Sequence, residues 1–159
     1  MKKYLEKLSV FKSGLKLYAF LALKGFSGLV RWLTSVSAWL NLKLNKPDKE
    51  EATKALAETW VDLMPPDGRE LFKIASIEGD TAYTEIHLHC PLRGSGNVKA
   101  CHQLMNYDRK LMDKVGANLV VLESQSNSGK HFCRLAIRKH GLPTDDLVPA
   151  HLAPEVSDS

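Results

Sequence analysis

Glu70-Leu-Phe-Lys-Ile-Ala-Ser-Ile-Glu-Gly-Asp-Thr-Ala-Tyr-Thr-Glu-Ile-His-Leu-His89 reads as two strands facing one another across a turn. Residues 70–77 and 82–89 carry β-branched and aromatic side chains, and Glu78-Gly79-Asp80 between them has hairpin chemistry. In the second run, alternation sends Ile86, Leu88 and Cys90 to one face and Glu85, His87 and His89 to the other. Pro91 lacks an N–H and ends the ladder.

Beyond the hairpin, Arg93-Gly-Ser-Gly-Asn97 is a loop. Residues 98–115 have helical periodicity, with Cys101, Met105, Asp108 and Met112 on one face at i, i+4, i+7 and i+11. Asp108 is thus an acid on an apolar stripe, which is costly unless it is paired or hydrogen-bonded. Gly116-Ala-Asn118 caps the helix. Residues 119–126 and 130–138 form two more strands joined by Asn127-Ser-Gly129, and Cys133, Leu135 and Ile137 share one face of the last. The order is ββαββ. The expected class is α+β, an antiparallel four-stranded sheet with one face covered by helices.

The chain before the hairpin is helical. Residues 3–23 repeat Tyr4, Leu8, Phe11, Leu15 and Tyr18 at helical spacing, and Gly25 and Gly28 interrupt the pattern. Residues 29–44 place Leu29, Leu33, Val36, Leu40 and Leu44 on one line, with Trp32 and Trp39 beside it. Asn45-Lys46-Pro47 breaks this run. Asp48 and Glu51 have capping-box spacing ahead of a helix reaching Leu63, with Ala52, Leu56, Trp60 and Leu63 inward. Pro65-Pro66-Asp67-Gly68 stops it. Three segments are expected: a basic amphipathic helical segment (1–46), an α+β domain (47–140) and a polar tail (141–159), whose prolines, acids and serines suit extended or disordered structure.

The charge is uneven. Residues 1–46 carry nine Lys/Arg against one acid, Glu6, while the whole chain is only +4. A basic amphipathic hairpin with interfacial tryptophans fits an anionic membrane surface. It fits better a helix pair packing on the body or on a second subunit as a homodimer, the default use of an amphipathic helix. No nucleic-acid motif accompanies the charge, which argues against that partner. The longest uncharged run, Trp32 to Leu42, is too short to span a bilayer. Three cysteines without small-secreted spacing suit reduced thiols. The expected location is cytoplasmic, with peripheral contact at the inner membrane face.

The three thiols carry the chemistry. Cys90, Cys101 and Cys133 are all aimed at the covered face, and Asp108 with them. A nucleophilic cysteine needs a lowered pKa or a nearby base, and His102 or His131 could serve beside Asp108. Buried cysteines are also ordinary packing residues. The thiols with a histidine would make a zinc-type set, although no Cys-x-x-Cys pair is present. Ser124 and Ser126 could hydrogen-bond a carboxylate or carbonyl ligand, and Arg93 and Lys130 could anchor a carboxylate.

Cys90-Pro91-Leu92, then Cys101, Tyr107-Asp108, Ser124-Gln125-Ser126, Gly129 and Cys133 form a pattern. It resembles the L-2-amino-thiazoline-4-carboxylic acid hydrolase family over residues 86–137. More distantly it is similar to the 4-vinyl reductase and TRAPP-subunit-like ligand-binding domains. The resemblance implies hydrolysis of a cyclic thiazoline to a carbamoyl-cysteine, with the three thiols and Asp108 in the pocket. Two positions depart from the pattern. The family has a basic residue where this chain has Glu123, and an acid where it has Arg134. The exchange implies either a compensated pair or a different substrate.

The leading expectation is a cysteine-dependent hydrolase of a carbon–nitrogen bond in a small cyclic amidine or thiazoline carboxylate. Cys133 or Cys101 would be its nucleophile, with Cys90 in the pocket and Asp108 as acid/base. Ser124, Ser126, Arg93 and His131 would hold the substrate. The alternative is a non-catalytic module binding a small molecule, a metal ion or haem, docked through its basic helices on a membrane or partner.

Overall fold

A computed structural model of the chain describes residues 3 and 7–154. Tyr4 and Leu5 of the expected first stripe and the last five residues of the tail lie outside the described residues. The chain is α+β, with helices packed on a four-stranded antiparallel sheet. Strands β1 (Phe72–Glu78), β2 (Thr81–Ile86), β3 (Ala117–Glu123) and β4 (Cys133–Lys139) lie in the order β1-β2-β4-β3.

The β1–β2 hairpin closes through the two-residue loop Gly79-Asp80, since Glu78 pairs with Thr81. Gly79 has φ +58°, a conformation that glycine takes without steric cost. The register aligns Ile86 with Cys133, Thr84 with Leu135 and Ala82 with Ile137. It also sets Leu135 opposite Val121 and Ile137 opposite Leu119. These residues form the covered face, and Leu135 and Ile137 are fully buried. Strand β2 ends at Ile86, not at residue 89. Beyond it the His87 N–H turns back to the Leu71 carbonyl, and residues 89–94 are irregular.

Helix α1 spans Leu8–Leu23, α2 Ser27–Asn45, α3 Thr53–Asp62, α4 Val98–Leu104 and α5 Asn106–Val115. The expected single helix over 98–115 is therefore two, divided at Met105, whose ψ of −1° departs from the usual helical value. Gly116, at φ +109°, caps α5. Helix α3 starts at Thr53 and uses no capping box. Residues 48–51 run extended, because the Glu50 N–H bonds the Val115 carbonyl and Glu51 pairs with Lys139. Its inner face is Leu56, Ala57 and Trp60, all fully buried, with Leu63 following. A 3-10 helix (Pro66–Leu71) then leads into β1.

Helices α3 and α5 lie on the sheet, and α1 and α2 form an outer layer over α4 and α5. The inward line of α2 is Val30, Thr34 and Ala38, each fully buried, rather than Leu29 and Val36. Small side chains at i, i+4 and i+8 let α2 approach α5 closely. The Asn106 amide then bridges the helices, donating to Thr34 Oγ1 at 2.9 Å, Ser35 Oγ at 3.0 Å and the Arg31 carbonyl at 3.3 Å. Residues between Leu8 and Leu42 thus contribute to the common core. The described part of the tail is a series of turns pinned by the Ala150 N–H on the Val121 carbonyl, with Leu147 and Ala150 buried.

Candidate functional site

The hairpin of α1 and α2 closes over a cavity of about 350 Å³. Phe11, Leu15 and Tyr18 of α1 and Leu40 and Leu44 of α2 form one wall. Cys90, Cys101, Cys133, Asp108 and Gln125 line it from the body. Asp62 and Arg69 also line it, with side chains 74% and 40% exposed, so they mark its opening.

The lining is apolar with a few neutral polar groups. Asn41 donates to the Tyr107 hydroxyl at 2.6 Å and to the Leu63 carbonyl at 2.9 Å. The Tyr18 hydroxyl is 2.6 Å from Ser37 Oγ. Burial pushes the Tyr107 phenol above its ordinary range, so it stays neutral.

Each thiol reaches the cavity by a different route. Cys133 gets there by the alternation of β4, whereas Cys101 comes from the inner face of α4. Cys90 arrives on irregular backbone beyond β2, not through strand alternation, and its sulfur accepts the Leu92 N–H at 3.4 Å. Burial raises all three thiols, Cys101 to about 11 and Cys133 to about 12. They therefore stand as neutral thiols at ordinary pH. Asp108 sits on α5 with its Oδ1 accepting the Trp60 indole N–H at 3.0 Å. Burial raises this carboxyl to about 6, opposed by that hydrogen bond and the neighbouring Arg109. Its charge adds to the burial that raises Cys101.

Ser124, Gln125 and Ser126 form a buried turn just past β3 rather than its last residues. The Ser124 and Ser126 hydroxyls are 2.7 Å apart, and Ser124 hydrogen-bonds the Cys101 thiol. Neither serine lines the cavity. Gln125 does, and it organises the site. Its Oε1 accepts the Cys90 N–H at 3.2 Å and Arg93 Nε at 2.7 Å, and its Nε2 donates to the Leu88 carbonyl at 2.9 Å. Its own N–H donates to the Cys133 sulfur at 3.4 Å.

Arg93 is turned away from the cavity, donating to Gln125 and to the His131 carbonyl, with the His131 ring 3.2 Å away. His102 stacks on His151 at 3.7 Å and faces Arg109, and burial lowers it to about 4. Neither histidine lines the cavity with the thiols. Lys130 pairs with Glu123 at 2.7 Å. Glu123 and Arg134 are register partners across β3 and β4, yet the Arg134 guanidinium lies over the Tyr83 ring at 5.0 Å. Among the described residues, no group of three or more His, Cys, Asp or Glu side chains is placed to hold a metal ion.

The cavity wall from α1 and α2, the Asn41–Tyr107 pair and Arg69 were not read as site residues from sequence. The one available signal was Asn41, a lone amide within an apolar run. No protein-family model, curated protein sequence or solved structure matches the chain.

Proposed function

We propose that the chain is a binding module for a small apolar molecule, held between the α1–α2 hairpin and the sulfur-lined surface of the body. The observation that carries this reading is the cavity itself: about 350 Å³, walled by aliphatic and aromatic side chains, with a few fixed neutral polar groups. That combination is the common form of a small-molecule site. Protonated thiols are soft, weakly polar surfaces that suit an apolar ligand. Among the described residues the only cation on the lining, Arg69, lies at the opening beside Asp62, so an anionic group on the ligand would belong there.

Titration with Nile red, a neutral apolar fluorophore, tests this. Gly14 faces the cavity, and a Cβ added there meets only the Tyr18 ring, at 3.9 Å and beyond. Gly14→Leu should therefore fill the cavity without straining α1. The expected result is bright, saturable binding to the native chain and at least a tenfold loss in Gly14→Leu at an unchanged melting temperature. Equal binding by the two proteins, or none by the native chain, overturns the reading.

Hydrolysis of a thiazoline carboxylate is a second reading, favoured by the convergence of Cys90, Cys101, Cys133 and Asp108 on one cavity. Cys101 would be the reacting thiol, with Asp108 as its acid/base on the same cavity lining. Incubation with aminothiazoline carboxylate decides it. Turnover that disappears in Cys101→Ala and Asp108→Asn, with Nile red binding intact, supports hydrolysis. No turnover by the native chain removes it.

A further inference from the structure

Large apolar side chains in solvent are concentrated on the α1–α2 hairpin. Leu17, Phe20 and Leu23 on α1 are each about half exposed, and Phe26 in the turn is 54% exposed. On α2, Leu29, Trp32, Val36 and Trp39 recur at i, i+3, i+7 and i+10, one outward line opposite the buried Val30-Thr34-Ala38 line. Residues 23–29, the tip of the hairpin, are exposed without interruption. A single exposed leucine needs no explanation, but eight large apolar side chains exposed on one helical hairpin do.

The charge around this surface has one sign. Between Lys7 and Pro47 the sequence contains no acid, while Lys12, Lys16, Lys24, Arg31, Lys43 and Lys46 are all exposed. Lys24 lies over the Phe20 ring at 5.8 Å and Lys43 over Trp39 at 4.8 Å, so cations and apolar groups are interleaved. We infer that the α1–α2 hairpin docks on an anionic lipid bilayer, with Phe26, Trp32 and Trp39 in the interface and the lysines against the headgroups. A second copy fits the face poorly. A two-fold contact would set this cation-only surface against itself with no acid to offset it. Among the described residues no helix is long and apolar enough to cross a membrane, so the contact is with the surface. The inference stands apart from the cavity reading, because these side chains point away from the cavity wall.

The protein's own tryptophans report the contact. Trp32 and Trp39 are exposed, whereas Trp60 is fully buried. The native chain should co-float with vesicles of equal parts phosphatidylcholine and phosphatidylglycerol, and its emission should shift to the blue. Pure phosphatidylcholine should leave both unchanged or nearly so. Each basic residue at an anionic surface is worth about fivefold in partitioning, so Lys24→Gln with Arg31→Gln should weaken binding by about twentyfold or more. Trp32→Ser with Trp39→Ser should abolish the blue shift while circular dichroism stays native. Absence of co-flotation with the anionic vesicles overturns the inference. So does a concentration-dependent dimer in light scattering that these tryptophan substitutions dissolve, with no vesicle binding.

Discussion

The Trp60 indole N–H is 3.0 Å from Asp108 Oδ1, and both side chains are buried between α3 and α5. The bond joins residues 48 positions apart and holds the buried acid of the cavity in place. Burial outweighs the indole, a backbone hydrogen bond and the neighbouring Arg109 charge, which is why the Asp108 proton is retained to about pH 6. The native state therefore binds a proton that the unfolded chain has already released. The stability contributed by this group is complete below the ordinary aspartate value of 3.8 and declines as pH rises to about 6, after which the deficit is constant. Asp108→Asn keeps an oxygen for the indole and removes the ionisation. At about pH 8 the variant should exceed the native chain in stability by on the order of 3 kcal/mol, with the difference vanishing near pH 4. Urea melts of both proteins across that range provide the comparison. A constant difference across the range would sink the account.

Trp60→Phe probes the same pair from the other side. The phenyl ring can keep the edge contact with Phe72, now at 5.8 Å between centroids, but no donor remains for Asp108. The carboxyl should then titrate above about 6, and the loss at neutral pH should be about 1–3 kcal/mol, the usual cost of an orphaned buried acceptor. In the Asp108→Asn background the loss should be smaller. A double-mutant cycle with no coupling would mean that the indole acts by packing alone.

Gln125 fastens several segments of the site at once. Its amide ties Cys90, Arg93 and Leu88 to the turn after β3. Gln125→Ala leaves these partners unbonded and should cost about 2–4 kcal/mol, with faster proteolysis between Leu88 and Gly94. Gln125→Glu separates the two halves of the amide. Its oxygens can still serve Cys90 and Arg93, but they meet the Leu88 carbonyl with repulsion, so it should fall between native and Ala. A fully stable Gln125→Ala would show that the loop is held by Leu88 and Leu92 instead.

The parts of this fold governed by local chemistry were readable in advance. Glu78-Gly79-Asp80 between two β-branched runs signals the hairpin, whose loop in the structure is the shorter Gly79-Asp80, and the alternation of Cys133, Leu135 and Ile137 signals the inner face of β4. Asp108 stood out as an acid on an apolar stripe, but its donor, Trp60, lies on another helix, and no local pattern pairs them. The orientation of α2 was equally hidden. Periodicity identifies two candidate faces, and close packing on α5 selects the one with small residues, leaving Trp32 and Trp39 outside. Ser124-Gln125-Ser126 looked like ligand-binding hydroxyls around a turn. Burial reversed the roles: the serines satisfy one another while the glutamine fastens the site. Cys90 came to the cavity although β2 ends four residues earlier, because the Gln125 clamp rather than a ladder carries it there.

The thiols offer the last test, since burial orders their reactivity. Cys90 is partly exposed, while Cys101 and Cys133 are 4% exposed. Burial holds these two at about 11 and about 12, so at mildly alkaline pH only a small fraction of either is thiolate. Iodoacetamide should label Cys90 first, with Cys101 and Cys133 slower by on the order of a hundredfold, as thiolate fraction and access both fall. Peptide mass spectrometry over a time course reads the three rates separately. Asp108→Asn should speed Cys101 more than Cys133, because the Asp108 charge raises Cys101. Saturating Nile red should slow all three, as each lines the same cavity. Rapid labelling of Cys133 in the native chain would mean that the α1–α2 hairpin opens freely. Unchanged rates with the dye bound would place it elsewhere on the molecule.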